Sequence, residues 1–186
     1  TVVNGGGMLN TKGEPGNAVC GGSSPMGIEA DESDGSIALY NPTVGVVTNI
    51  SLDHKPLDEL KDLFGEFCRR SDTAVSNINC EDSDNLYTEV SFGIESPAAD
   101  FNATRVKSSS VGVAFNVNGQ QVRLRIPGLH NVSNAAAAIA ATGQVGVSVK
   151  DAADTLYRFL GIRRRLQLVG ERKGIRVIDD FAHNPD

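Results

Sequence analysis

GVVTNISLDHKPLDELKDLFGEFCRRSDTAVSNI, residues 45–78, decides the fold. It opens on a compact β-branched stretch at 45–50 and closes on a second at 73–78. Between them Leu57, Leu60, Leu63, Phe64 and Phe67 recur at spacings of three and four, which makes one apolar helical face. Pro56 suits the first turn of that helix. Strand, helix and strand in succession read as α/β.

Outward from this stretch, VSFGI (90–94) supplies another strand. VGVAFNV (111–117) and QVRLRI (121–126) alternate on either side of Asn118-Gly119, a pair that tolerates positive φ, so a β-hairpin is predicted. After Pro127-Gly128 a helix runs through NVSNAAAAIAAT (131–142), and another through VKDAADTLYRFL (149–160), stopped by Gly161. RLQLVG (165–170) and IRVIDD (175–180) form a second hairpin pattern around 171–174. The first 27 residues, rich in Gly, Asn and Ser, read as loop with weak strands. The expected fold is α/β, a mostly parallel sheet flanked by helices with a small antiparallel insert.

The composition agrees. With 186 residues, 40% hydrophobic and 22% charged, the chain is long enough for one sizeable domain, or one domain and part of another. Ordinary usage of this kind excludes collagen-like, fibrous and disordered classes. Seven Phe, three Tyr and no Trp leave the core to Val, Ile, Leu and Ala. A net charge of −6 and a pI near 5.0 repel phosphate backbones and anionic membranes, so neither nucleic acid nor a membrane is an expected partner. No apolar run approaches the ~20 residues of a spanning helix. Cys20, Cys68 and Cys80 are odd in number and lack Cys-x-x-Cys spacing, which argues against a zinc site or disulfide framework and for a reducing, cytoplasmic setting. Cys68 reads as a small core residue of its helix.

Four stretches carry chemistry. In GIEADESDG (27–35), Glu29, Asp31, Glu32 and Asp34 fall within six residues; they suit a hard cation such as Mg²⁺, or form a solvated acidic turn. VVTNISLDHK (46–55) delivers Asp53 and His54 just beyond a strand, where His54 binds metal, moves a proton or is simply hydrogen-bonded. In IPGLHNVSNAAAAIAA (126–141), His130 precedes Asn131 and Asn134, whose amides offer the donor and acceptor pair that matches adenine, or else cap the helix. Arg163, Arg164 and Arg165, followed by RVIDDFAHNPD (176–186), offer a phosphate clamp with Asp179 or Asp180 at a strand end; the plain alternative is an exposed basic turn.

In this order, EADESDGS, VVTNISLDH, PGLHNVSNAAAAIAA, GIRRRLQ and VIDDFAHNP resemble the Mur ligases, the ATP-dependent ligases of bacterial cell-wall peptide assembly. The resemblance covers nearly the whole chain. It implies a P-loop-type central ATPase domain over 1–161 and the start of the C-terminal ligase domain over 162–186. Carried over residue by residue, it gives Glu29 and His54 to Mg²⁺, and Asn131 and Asn134 with His130 to the adenine. Arg165 corresponds to the γ-phosphate contact and Asp180 to the aspartate that helps hold the nucleotide. His183 stands at the first histidine of an HHP signature.

The implied reaction joins UDP-N-acetylmuramate to an amino acid or short peptide through an acyl phosphate, with ATP and Mg²⁺, in the bacterial cytoplasm. L-Alanine is the favoured amino acid from EADESD and TNIxxDH, whereas DDFAH is similar to the ligase that recycles an intact tripeptide. There are departures. G-x-x-x-x-G-K-[ST] is absent, Gly5, Gly6 and Gly7 are not followed by Gly-Lys-Thr, and Asn184 stands at the second histidine of HHP. The expectation is a sequence truncated at both ends, its phosphate loop upstream, and inactive alone. A metal-dependent phosphohydrolase and a catalytically inactive binding-only homologue are the alternatives. Oligomeric state is left open by the sequence.

Overall fold

Three two-residue strands, β1 (Val2–Val3), β2 (Ala18–Val19) and β3 (Gly27–Ile28), open the computed structural model. They form a small sheet in which β1 pairs antiparallel with β2 and parallel with β3. The structure describes residues 1–11, 16–22, 25–52 and 55–181. It comprises two units, Ala30–Tyr157 and a second made of Thr1–Glu29 with Arg158–Asp186.

The larger unit rests on one six-stranded sheet, in which chain order is also spatial order: β4 (Val44–Val47), β5 (Thr73–Asn77), β6 (Val90–Ile94), β7 (Phe101–Ser109), β8 (Gly112–Val117) and β9 (Gln120–Leu124). Strands β4 to β7 pair in parallel, and β8 and β9 continue the same sheet antiparallel. Helices α1 (Leu57–Arg70), α2 (Glu81–Asp84), α3 (Leu129–Gly143) and α4 (Val149–Leu156) complete the unit.

A parallel strand in such a sheet has no solvent face. Accordingly, Ala74 of β5 belongs to one core with Val47, Leu60, Phe67 and Cys68, and its neighbour Val75 to another with Phe92, Phe115, Val132 and Ile139. The first core is closed by α1, whose Leu57, Leu63 and Phe64 add the rest of the predicted apolar face. Pro56 occupies its N-cap, Asp58 and Glu59 stand in its first turn and Arg69 and Arg70 in its last, each charge placed to suit the helix dipole. Burial pushes the Cys68 thiol up to about 11, as expected of a core residue. The second core lies under α3, where Ala135, Ala136, Ala137 and Ala140 let the helix approach the sheet closely.

The β8–β9 hairpin turns through Asn118 (φ 48°) and Gly119 (φ 83°), as the Asn-Gly pair predicts. Two features differ from the sequence reading. Strand β7 is the longest of the sheet, yet its alternation is broken: the register with β8 shifts between Thr104 and Lys107, and Arg105 takes φ 55°. That bulge hides the strand from a search for period two. Helix α4 ends at Leu156 rather than running to Gly161. Tyr157 and Leu160 are 56% and 39% exposed, so continuing the helix would gain little burial.

In the smaller unit, β10 (Gln167–Arg172) and β11 (Ile175–Asp179) form the predicted hairpin, turning at Lys173 and Gly174, both at positive φ. Gly161, at φ 103°, accepts the Leu9 N–H through its carbonyl. Met8 bridges antiparallel to Ile162, and the Arg163 N–H donates to the Gly7 carbonyl at 2.7 Å. Among the described residues no helix is long and apolar enough to cross a membrane.

Phe92 sits at the centre of the parallel sheet with no exposed surface. Phe92→Ala is expected to lower the free energy of unfolding by about 3–5 kcal/mol, read by urea denaturation followed by circular dichroism. A loss below about 1 kcal/mol would mean that this core is not the cooperative one.

Candidate functional site

Glu29 follows directly on β3. Its N–H donates to the Val3 carbonyl at 3.0 Å, and its carboxylate Oε2 accepts the Gly5 N–H at 2.7 Å. A Cβ on Gly5 would lie only 3.3 Å from Oε2, so the carboxylate rests against the glycine run. The residues that follow have a different role. Asp31 accepts both the N–H and the hydroxyl of Ser33, and Asp34 accepts the Ser36 N–H. These bonds shape the turn that leads into a short 3₁₀ helix at Ser36–Leu39, as the acidic-turn reading has it. Glu29 differs: an exposed carboxylate oriented by a backbone donor is a fitting oxygen ligand for a hard cation. Among the described residues no three His, Cys, Asp or Glu side chains converge, and Mg²⁺ held by one or two protein ligands and water needs no such group.

The arginine run is a locked turn. Arg164 (φ 59°) and Leu166 (φ 47°) are both at positive φ. The Arg165 N–H donates to the Ile162 carbonyl at 3.3 Å, and the Leu166 N–H to Asp180 Oδ2 at 2.9 Å. The Phe181 N–H donates to the Arg164 carbonyl at 2.8 Å, while the Arg164 guanidinium lies 4.5 Å from the Phe181 ring centroid. Arg165 itself is exposed. The structure thus brings Arg165 and Asp180 together, with Asp180 holding the turn that carries the arginine.

At the start of α3, Gly128 takes φ 106°, and a Cβ there would fall 2.5 Å from His130 Cε1. The glycine therefore makes room for the imidazole. Neither asparagine caps the helix, because the N-cap is Gly128 and receives no side-chain bond. Instead Asn131 Nδ2 donates to the Pro127 carbonyl at 2.6 Å, bracing the turn ahead of the helix. Asn131 is half-buried and Asn134 exposed, so the two amides occupy different environments.

Beyond the carboxyl end of β4, the segment leading toward 53–54 is held from β5 and its following loop. Asn77 Nδ2 donates to the Thr48 carbonyl at 3.0 Å, and the Ile50 N–H approaches Cys80 Sγ at 3.5 Å. Burial pushes the Cys80 thiol up, but the Ile50 N–H, the Ser83 hydroxyl and the Ser83 and Asp82 N–H groups outweigh it and hold the thiol below its ordinary value. Sequence reasoning missed this bracing, since no local pattern links Cys80 to a residue thirty positions earlier. Asp53, His54 and His183 lie outside the described residues.

A family model described as the Mur ligase middle domain matches residues 26–142. The chain is 38% identical over 168 residues to the UDP-N-acetylmuramate–L-alanine ligase of Crocosphaera subtropica, covering 84% of this chain and 32% of that protein. It is 38% identical over 197 aligned residues to the protein of the same name from Geobacter sp. strain M21, covering 97% of this chain and 42% of that protein. The crystal structure of the UDP-N-acetylmuramate-alanine ligase of Thermotoga maritima superposes with a TM-score of 0.84 at 29% identity, over 97% of this chain and 44% of that one. A murein peptide ligase from Psychrobacter arcticus superposes with a TM-score of 0.63 at 28% identity, over 86% of this chain and 37% of that one. The chain therefore spans about a third to two fifths of the length of these curated relatives.

The two asparagines should separate in a stability measurement. Asn131→Ala removes the bond to Pro127 and is expected to cost about 1 kcal/mol in urea denaturation, whereas exposed Asn134→Ala should stay within about 0.5 kcal/mol of the parent. Equal losses at both positions would contradict the bracing role given to Asn131.

Proposed function

This chain belongs to the Mur ligase family, and on that premise we propose that it is part of a longer ATP-dependent ligase joining L-alanine to the carboxylate of UDP-N-acetylmuramate. Identity of 38% to proteins of that name, over 84% and 97% of the chain, is the observation that carries the reading. The higher TM-score to the alanine ligase than to the murein peptide ligase supports L-alanine over a recycled peptide. In this reading residues 1–161 belong to the central ATP-binding domain and 162–186 open the C-terminal one.

The reaction needs two displacements. A substrate carboxylate oxygen attacks the γ-phosphorus of ATP, ADP departs, and an acyl phosphate results. The amino group then attacks the acyl carbon, inorganic phosphate leaves and the amine gives up a proton as the amide forms. Developing charge on the transferring phosphoryl group is the main electrostatic demand. Arg165 meets it, its guanidinium exposed on a turn fixed by the Asp180 and Phe181 contacts. A fork of donors so placed suits a phosphate better than a mobile ammonium does. Glu29, oriented by the Gly5 N–H, and His54 would hold Mg²⁺, which neutralises phosphate charge when bound. By the family resemblance Asn134, with Asn131 and His130, would serve the adenine and Asp180 the nucleotide, and His183 is assigned from the signature alone. A net charge of −6 is compatible with an anionic substrate because the positive charge is supplied locally.

Phosphate release by the full-length protein with ATP, Mg²⁺ and UDP-N-acetylmuramate tests the proposal. Stimulation by L-alanine is expected. Stimulation by the tripeptide instead would reassign the protein to recycling, and no stimulation by either would remove the substrate assignment. The 186-residue chain alone should release no phosphate above a buffer blank. Glu29→Gln in the full-length protein should raise the Mg²⁺ needed for half-maximal turnover about tenfold or more.

A further inference from the structure

Apart from the Met8 bonds to Gly16 and Thr11, which close the local turn, the contacts of the polar, glycine-rich segment 5–10 are directed at two places. Gly5 gives its N–H to the Glu29 carboxylate at 2.7 Å. The next residues serve the segment 158–163 that leads into the arginine run. A Cβ on Gly6 would lie 2.5 Å from Ile162 Cγ2, and one on Gly7 would lie 3.2 Å from Arg163 Cδ. The Gly7 carbonyl accepts the Arg163 N–H, Met8 bridges to Ile162, and the Leu9 N–H reaches the Gly161 carbonyl. Asn10 completes the ladder with its side chain: Oδ1 accepts the Leu160 N–H at 2.7 Å and Nδ2 donates to the Arg158 carbonyl at 2.6 Å. An amide is the one neutral side-chain type that mimics a peptide group, so Asn10 extends the antiparallel pairing by two bonds where the main chain stops.

We propose that 5–10 is a positioning element for phosphoryl transfer, in which Asn10 and Gly6 set the course of residues 158–163 and so hold the Arg165 turn in register with the Glu29 carboxylate. The proposal rests on the ligase reading for the roles of Glu29 and Arg165. None of the residues in 5–10 touches substrate in this account. Their effect is geometric: Gly6 determines how closely Ile162 approaches, and Asn10 determines where Leu160 is pinned. A displacement of the arginine turn by about 1 Å is enough to impair phosphoryl transfer severely.

Two experiments test it, one independent of catalysis. In hydrogen exchange followed by NMR on the 186-residue chain, Asn10→Ala should speed exchange about tenfold or more at Leu160, Leu9 and Arg163 while Val75 and Phe92 keep their protection. Faster exchange at Leu160 alone would overturn the proposal, because Asn10 would then hold one amide and not the segment 158–163. In the full-length ligase, Gly6→Ala should lower kcat/KM for ATP about tenfold or more without changing KM for UDP-N-acetylmuramate. Adding Ile162→Leu, which removes the branch facing Gly6 at equal volume, should restore most of that loss. Unchanged ATP kinetics in Gly6→Ala, or no recovery in the double variant, would overturn the positioning role. If the unsubstituted protein ligates nothing, the ligase reading falls, and the exchange pattern alone decides whether Asn10 holds the segment 158–163. The same exchange pattern decides if Gly6→Ala does not fold.

Discussion

Strand β5 is required to bury both of its faces, and most of the larger unit follows from that requirement. Ala74 and Val75 are adjacent, so their side chains point to opposite sides of the sheet, and both are essentially inaccessible to solvent. Each side needs its own helical cover. Helix α1 supplies one and α3 the other, with the alanines of α3 allowing the closer approach. Parallel pairing then places the ends of β4 and β5 side by side, where Asn77 and Cys80 anchor the segment that runs on from Thr48 and Ile50. Burial at the middle of a strand thereby determines what is available at its end, which is where α/β sheets bind ligands.

Three of the residues proposed to bind ligand share a mode of support. Glu29 is oriented by a peptide N–H, Asn131 is tied to a peptide carbonyl, and the Arg165 turn is closed by bonds between main-chain groups and the Asp180 carboxylate. Main-chain partners are positioned by the fold itself and lose little further entropy when a side chain docks on them. Exposed residues can in this way be well oriented without being buried. The pattern also explains why glycine recurs beside them. Gly5 and Gly128 lack the Cβ that would crowd the Glu29 carboxylate and the His130 ring.

Much of this was legible from the sequence because it depends on neighbours in the chain. The apolar spacing of 57–67 and the Asn118-Gly119 turn are local signals, and the structure places α1 and the β8–β9 hairpin where they indicate. Strand β7 was not legible: the bulge at Arg105 breaks the alternation, and Lys107 and the serines after it carry no strand signature. The end of α4 was misread because Tyr157 and Leu160 keep helical spacing while remaining substantially exposed. In the acidic run the residue types were visible but not their division of labour, which only hydrogen bonds reveal: Asp31 and Asp34 build a turn and Glu29 does not. The contacts of Asn10 were out of reach altogether, since they join positions about 150 residues apart.

That separation bears on how the chain acquires its structure. The smaller unit is discontinuous, its two parts lying on either side of Ala30–Tyr157, which is continuous and carries its own cores. Joining Asn10 to Leu160 across an unstructured chain would cost about 4 kcal/mol in loop entropy alone, before any bond repaid it. Once Ala30–Tyr157 has folded, most of that intervening chain is already ordered and the penalty shrinks. Loop entropy therefore favours an order in which the continuous unit folds before the discontinuous one. During synthesis on the ribosome residues 7–10 emerge long before residues 158–163, and through that interval they lack the segment they pair with in the finished unit.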